Sequence, residues 1–397
     1  MIQGELYIFI SLIIMLAGIF YLSKLKSKIV KLVFSVIPPL LFCYFLPSLL
    51  VEQGIIVIGN TDLNGTLAKT LLPFCIFYFT LGLPLAKLKA IGRKPIILFL
   101  VGALGVIIGG PISLMISHYF FPTEFNAESF RGLSTIAGSW IGGTANQMAL
   151  NAIFLPNADE LAKAVTVDVF FGETWLAILL FLIPFQLKIN QYLKASYNHQ
   201  DISVDWEEDL TVKKFTFNNL IYILGLGFLI TLLSTYSGSY LTELIAITFL
   251  NQSFWTFFIC TFMGIGLGLS PLKRLYTAGG DVIATLFLYF IIASIGLKIS
   301  LSHLFSTPLL LFTGFIWISI HGLVIFVVGK WIKAPYHYMA IASQANVGGI
   351  ASTSVIATAI SPILAPLGVI LALLGYAIGT YGGYLSAILM QWVSQTY

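Results

Sequence analysis

Ten runs of about 20 predominantly apolar residues leave a bundle of membrane-crossing helices as the one architecture open to this chain. They lie near 5–22, 29–50, 67–86, 95–117, 164–186, 217–236, 253–270, 278–298, 308–329 and 366–388. A soluble core could not absorb them. Of the 397 residues 58% are hydrophobic and 9% are charged, where soluble domains carry about 25% charge. The net charge of +4 resides in lysines of short connections between apolar runs. It therefore reports orientation in the lipid, and nucleic acid is not an expected partner. Cys43, Cys75 and Cys260 stand alone inside apolar runs, which predicts packing residues and no metal centre.

Two segments break the apolar pattern. Ala137 to Gln147 (AGSWIGGTANQ) and Ala342 to Thr353 (ASQANVGGIAST) are small and polar, each contains a Gly-Gly pair, and they hold corresponding places in the two halves of the chain. Irregular backbone at membrane depth survives only where it is buried in protein or lines a cavity, so a matched pair predicts a central binding site. The candidate substrate- and ion-binding residues are Ser139, Gly142, Gly143, Thr144, Asn146 and Gln147 in the first segment. In the second they are Gln344, Asn346, Gly348, Gly349, Ser352 and Thr353. Glycine permits close approach of the backbone to a ligand, and neutral hydroxyls and amides suit Na+ and carboxylates alike. Small residues here also permit tight helix packing, and that reading stands beside the functional one. For Trp140, beside the first Gly-Gly pair, packing is the leading reading.

Lysine and arginine near span ends gather on the cytoplasmic side. Sixteen of the 20 basic residues fall in five connections, around 24–31, 87–94, 188–214, 273–274 and 330–333. All five can be inside only if the first glycine-rich segment makes no net crossing; a full crossing would put eight of the sixteen outside. A re-entrant hairpin is expected, with a broken spanning helix as the alternative. The first apolar run has Glu5 before it and lysines after it, the reverse of a cleaved leader, so it is expected to remain as a helix with its N-terminus outside. The connection 187–216, with Asp201, Asp205, Glu207, Glu208 and Asp209, is expected to be a solvated cytoplasmic linker.

This threading runs residues 1–186 and 217–397 in opposite directions. Ordered matches support a duplication: Pro95 to Phe99 (PIILF) with Pro308 to Phe312 (PLLLF), Gly142-Gly143 with Gly348-Gly349, and Gly172 with Gly379. A period this long is a half-protein repeat and not a solenoid. The expected fold is an all-α polytopic membrane protein built as a 5+5 inverted repeat.

The two glycine-rich segments, together with Gly375 to Tyr381 (GYAIGTY), resemble the hallmark segments of the uncharacterised YjcL-like family of integral membrane proteins, a domain of unknown function. That family is grouped with the cation/proton antiporter and anion transporter superfamily, alongside sodium/glutamate and bile-acid symporters. The resemblance covers essentially the whole chain. It implies a mobile core domain against a dimeric scaffold, a homodimer, and elevator-like alternating access.

Charged groups inside a membrane are costly unless paired, hydrated or functional. Asp168 and Glu173 lie five apart on the run after the first glycine-rich segment, where an antiporter-like fold would place a carboxylate that alternately binds a cation and a proton. Their repeat counterparts, Gly375 and Thr380, carry no charge, which weakens a pure sodium/proton exchange reading. His321, near the middle of the 308–329 run, is a third coupling candidate, with hydrogen-bonded packing as its alternative. No GxSxG, Walker or HExxH pattern occurs, so neither an enzyme nor an ATP-driven pump is expected. The expectation is an ion-coupled secondary transporter, driven by Na+ or H+ and without other cofactors, of an amino acid, dipeptide or other carboxylate. The expected place is a bacterial cytoplasmic (inner) membrane, with lipid and a small solute as partners. A cation/proton exchanger and a non-transporting scaffold or sensor are the alternatives.

Overall fold

The computed structural model describes residues 4–28, 30, 34, 39–57, 63–84, 91–122, 125, 128–195, 215–245, 250–297, 308–361 and 364–396. The acidic stretch 201–209 lies outside them. The first helices are α1 (Glu5–Ser23), α2 (Pro39–Glu52), α3 (Leu63–Leu81), α4 (Arg93–Phe120), α5 (Ser129–Gly142), α6 (Thr144–Phe154), α7 (Ala158–Leu182) and α8 (Gln186–Leu193). Then follow α9 (Phe217–Ile245), α10 (Gln252–Leu267), a π-helical turn (Tyr276–Gly280), α11 (Asp281–Gly296), α12 (Pro308–Trp331), α13 (Tyr336–Val347), α14 (Gly349–Ile360) and α15 (Ala365–Thr396). Seven of the described helical segments are long and apolar enough to cross a membrane. The chain is a multi-pass membrane protein. Each expected run carries a helix; the shorter ones are α2, α3 and α10.

Local signals set the ends. Asn157 caps α7 by accepting the Glu160 N–H at 2.9 Å, and Asp159 and Glu160 place negative charge in its first turn, where the helix dipole favours it. Asn251 caps α10 in the same way through Phe254. The membrane run around 164–186 does not stop where its apolar content falls. A 3₁₀ turn with Pro184 early in it leads into α8, and Leu193 is buried in an apolar cluster. The first part of the expected linker is therefore helix.

The helices pack as two groups, each drawing on both halves of the chain. In one, α3 lies against α9, α10 and α11, with α2 on α11 and α1 on both. In the other, α15 is the centre, against α5, α4, α14, α13 and α6, while α12 pairs with α4. Aromatic rings fill the first group: Phe74 meets Tyr78, Phe228 and Phe287 at 4.8, 5.2 and 4.9 Å. Tyr21, Tyr119, Phe120, Trp331 and Trp392 are exposed near helix ends, as an interfacial belt requires. Tyr336 and Tyr338, whose place near a span end in the sequence predicts the same belt, are buried instead. Tyr336 donates its hydroxyl to the Leu179 carbonyl at 2.5 Å and anchors the start of α13.

Connections rich in lysine converge at one end. Lys94 donates to the Lys333 carbonyl at 3.0 Å, Lys330 to the Tyr192 hydroxyl at 2.7 Å, and the Tyr336 N–H to Asn190 at 2.8 Å.

Candidate functional site

Both glycine-rich segments are broken helices whose breaks fall at the glycine pairs. Gly143 joins α5 to α6 with φ 80° and ψ −177°, a conformation essentially restricted to glycine. The two arms fold back on each other. Phe130 at the start of α5 faces Phe154 at the end of α6, 5.8 Å between ring centres, and Arg131 reaches the Phe154 carbonyl at 2.5 Å. In the second element Gly349 has φ 67°. Tyr336, at the start of α13, shares an apolar cluster with Ile356 and Ala357 near the end of α14. Its open end thus lies away from its break as well.

Helix α15 acts as a ruler for their relation. A Cβ on Gly368 would touch Thr353 and Ala357 in the body of the second element. One on Gly375 would stand 3.2 Å from Gly142 and 3.6 Å from the Ala345 carbonyl, between the two breaks. One on Gly383 would meet Gly138 at 2.8 Å in the body of the first. At 1.5 Å per residue these stations are spaced by about 10 and 12 Å. The two elements approach from opposite directions and meet tip to tip: a Cβ on Gly143 would lie 3.9 Å from the Gly349 Cα.

Behind the first tip sits a buried carboxylate. Asp168 on α7 is 7% exposed. Its Oδ2 accepts the Ser139 hydroxyl at 2.8 Å and the Gln147 amide N–H at 2.9 Å. Ser139 is on one arm and Gln147 on the other, so a single oxygen ties both arms across the Gly143 break. The Trp140 indole N–H faces the same carboxylate without closing a hydrogen bond of good geometry. No basic side chain forms an ion pair with Asp168 among the described residues. Trp140 itself is fully buried, against Trp317 at 5.4 Å and Phe171 at 6.3 Å, as its packing reading expects.

The other polar candidates divide by partner. Asn146 is fully committed: its NH2 donates to the Gly142 carbonyl at 2.7 Å and the Gly375 carbonyl at 3.5 Å, and its oxygen accepts Thr380 at 2.6 Å. It locks the first tip onto α15. Asn346 pins the second to α4 by donating to Phe99 at 3.0 Å, which leaves its own oxygen buried and unpartnered. Both polar atoms of Gln344 are buried without a hydrogen-bond partner among the described residues. Ser352 and Thr353 donate back to the Gly348 and Gly349 carbonyls at 2.6 and 2.5 Å. Glu173 lies on an exposed face of α7 with no hydrogen bond to either tip among the described contacts.

His321 belongs to a separate chain. Its Nδ1 lies 2.9 Å from the Gly102 carbonyl, which can only accept, so Nδ1 carries the proton. In the neutral ring Nε2 then accepts the Ser343 hydroxyl at 2.9 Å, and the Ser343 oxygen accepts the Trp175 indole N–H at 2.8 Å. Every group is satisfied. His321→Leu should strip partners from two buried groups, about 1–3 kcal/mol each. A marked fall in melting temperature is the expected outcome, and an unchanged melting temperature would mean that these bonds do not hold the fold.

Where the helix groups meet, a cavity of about 1090 Å³ opens against the tips. Of the sequence candidates, Gly143, Thr144, Gly348 and Gly349 line it; Ser139, Gln147 and Asp168 form the cluster behind. Sequence reasoning missed Tyr376, which lines the cavity and stacks on Phe79 at 4.8 Å. It also missed Thr380 as a partner of Asn146 and the π-helical turn at 276–280, which carries Gly279 at φ 119°. The Gly-Gly-Asp run at 279–281 was the available signal, since π turns concentrate at functional sites.

Paired broken helices that meet tip to tip beside a cavity define the class: a multi-pass helical membrane protein with a cavity where its two helix groups meet. The family model described as "Protein of unknown function (DUF819)" matches residues 11–393, and the chain belongs to that family. No curated protein matches.

Proposed function

We propose that this protein is an ion-coupled secondary transporter of a small organic solute, with the cavity at the glycine tips as its cargo site and Asp168 as its coupling carboxylate. The observation that carries the reading is the meeting of Gly143 and Gly349 on the wall of one cavity. Backbone broken at membrane depth is tolerated where it lines such a space, and helix ends there can replace the water stripped from a solute or ion. Among the described residues the hydrogen-bond donors to Asp168 are neutral, so charge balance calls for a proton or Na+ whenever cargo moves. The cavity's position at the seam between two helix groups suits an elevator-like movement of one group past the other. The inverted repeat, the homodimer, the bacterial inner membrane and the kinship with sodium/glutamate symporters complete the proposal; they rest on the sequence matches and the resemblance.

Uptake of labelled solute into proteoliposomes, with and without Na+ or H+ gradients, tests it. Accumulation independent of either gradient would defeat ion coupling. The Asp168 cluster also favours a second reading, cation/proton exchange, and a cation-dependent pH change in vesicles free of organic solute would select it.

Orientation is open to a direct test. The native cysteines are all buried, so single introduced cysteines report cleanly. Lys94→Cys and Lys333→Cys should react with an impermeant thiol reagent from the cytoplasmic side only. Leu155→Cys, 71% exposed at the open end of the first hairpin, should react only from outside. Labelling of Leu155→Cys from within would overturn the re-entrant topology.

A further inference from the structure

The chemistry of the cavity wall narrows the cargo. We infer that the solute is amphipathic, of about the size of a dipeptide, with an aromatic or branched apolar body. This rests on the transporter reading and refines its cargo site. Among the described residues that line the cavity, Lys273 and Asp281 are charged, of opposite sign, and Thr144, Thr277 and Thr285 are polar.

The other described lining residues are glycine, apolar or aromatic. Phe79 and Tyr376 stack with their planes 25° apart. The Tyr376 ring stands 3.3 Å from where a Cβ on Gly143 would be, directly under the tip. The Tyr276 ring lies against Gly82, close enough that any side chain at 82 would collide with it, and it brings a second aromatic face to the same wall. Rings stack on flat or branched apolar groups and offer little to a small, strongly hydrated anion. Size points the same way: about 1090 Å³ exceeds the range of about 300–1,000 Å³ that holds drug-sized ligands, far more room than a four-carbon diacid fills.

Binding of labelled L-leucyl-L-phenylalanine to the reconstituted full-length protein tests the assignment. Saturable binding is expected, displaced about tenfold more strongly by the unlabelled dipeptide than by glutamate or succinate. Tyr376→Ala should weaken it about fivefold to tenfold, while Tyr376→Phe, which keeps the stack, should retain it. Thr285→Trp, which projects into the cavity from α11, should block it independently of the Tyr376 region. Two results would overturn the inference and leave the transporter reading intact: glutamate or succinate binding in preference to the dipeptide and lost in Thr285→Trp, or dipeptide affinity unchanged in Tyr376→Ala. Failure of both solute classes to bind, with Asp168-dependent cation flux persisting, would overturn this inference and the organic-solute reading together.

Discussion

Asp168→Asn is expected to reduce gradient-driven accumulation by roughly 100-fold, the equivalent of about 2.8 kcal/mol, while sparing solute exchange at equal concentrations. Asparagine keeps an acceptor oxygen for Ser139 and Gln147, which both donate to Asp168, so the clasp across the first tip survives. What it removes is the ability to alternate between charged and neutral forms. Asp168→Ala differs in kind, because it strands two buried donors at about 1–3 kcal/mol each; it should lower the melting temperature as well as uptake. Comparing the two variants separates coupling from folding. Glu173→Gln adds a third point, since Glu173 bonds to neither tip, and the loss should follow Asp168. Full accumulation by Asp168→Asn would remove that carboxylate from the mechanism.

The contrast between the two carboxylates shows what could be read from the chain and what could not. That each charge at membrane depth needed an explanation followed from cost alone. Which of them faced the tip did not, because five residues along a helix is a rotation of about 140°, and the register of α7 against α5 and α6 is a tertiary fact. The apolar runs were legible for a general reason: lipid allows no unsatisfied backbone, so length and hydropathy place helices with little ambiguity. Helix α8 escaped because its segment is mixed in polarity; the burial of Leu193 and the bonds of Asn190 and Tyr192 show why it is ordered.

The candidate site was legible at its glycines and obscure around them. Tyr376 reads as one more packing aromatic until Phe79, almost 300 positions earlier, is seen stacked on it. Thr380 was passed over because it carries no charge, yet its hydroxyl fixes Asn146. Asn146 and Asn346 looked equivalent from their glycine-rich surroundings. One turns out to be saturated by α15 and the other retains a free oxygen, so pattern located the tips while packing decided what each amide does.

The tips themselves permit the second large test. Gly143→Val is expected to cut uptake by about 100-fold or more, with a smaller loss for Gly349→Ala, and the asymmetry is the informative part. At Gly143 the backbone has φ 80° and ψ −177°, where a side chain costs on the order of 1–3 kcal/mol. A Cβ there would also stand 3.3 Å from the Tyr376 ring and 3.9 Å from the opposite tip, so the two methyl groups of valine would fill the space between tips and aromatic floor. Strain and obstruction therefore act together. At Gly349 the backbone is also left-handed, φ 67°, but nothing lies within 4 Å of an added Cβ; alanine meets strain of about 1–2 kcal/mol and no obstruction. Uptake rates measured at matched amounts of reconstituted protein, with melting temperatures beside them, read the two contributions separately. Equal losses at both positions would mean that backbone strain alone governs the tips, and wild-type uptake by Gly143→Val would mean that cargo does not pass between them.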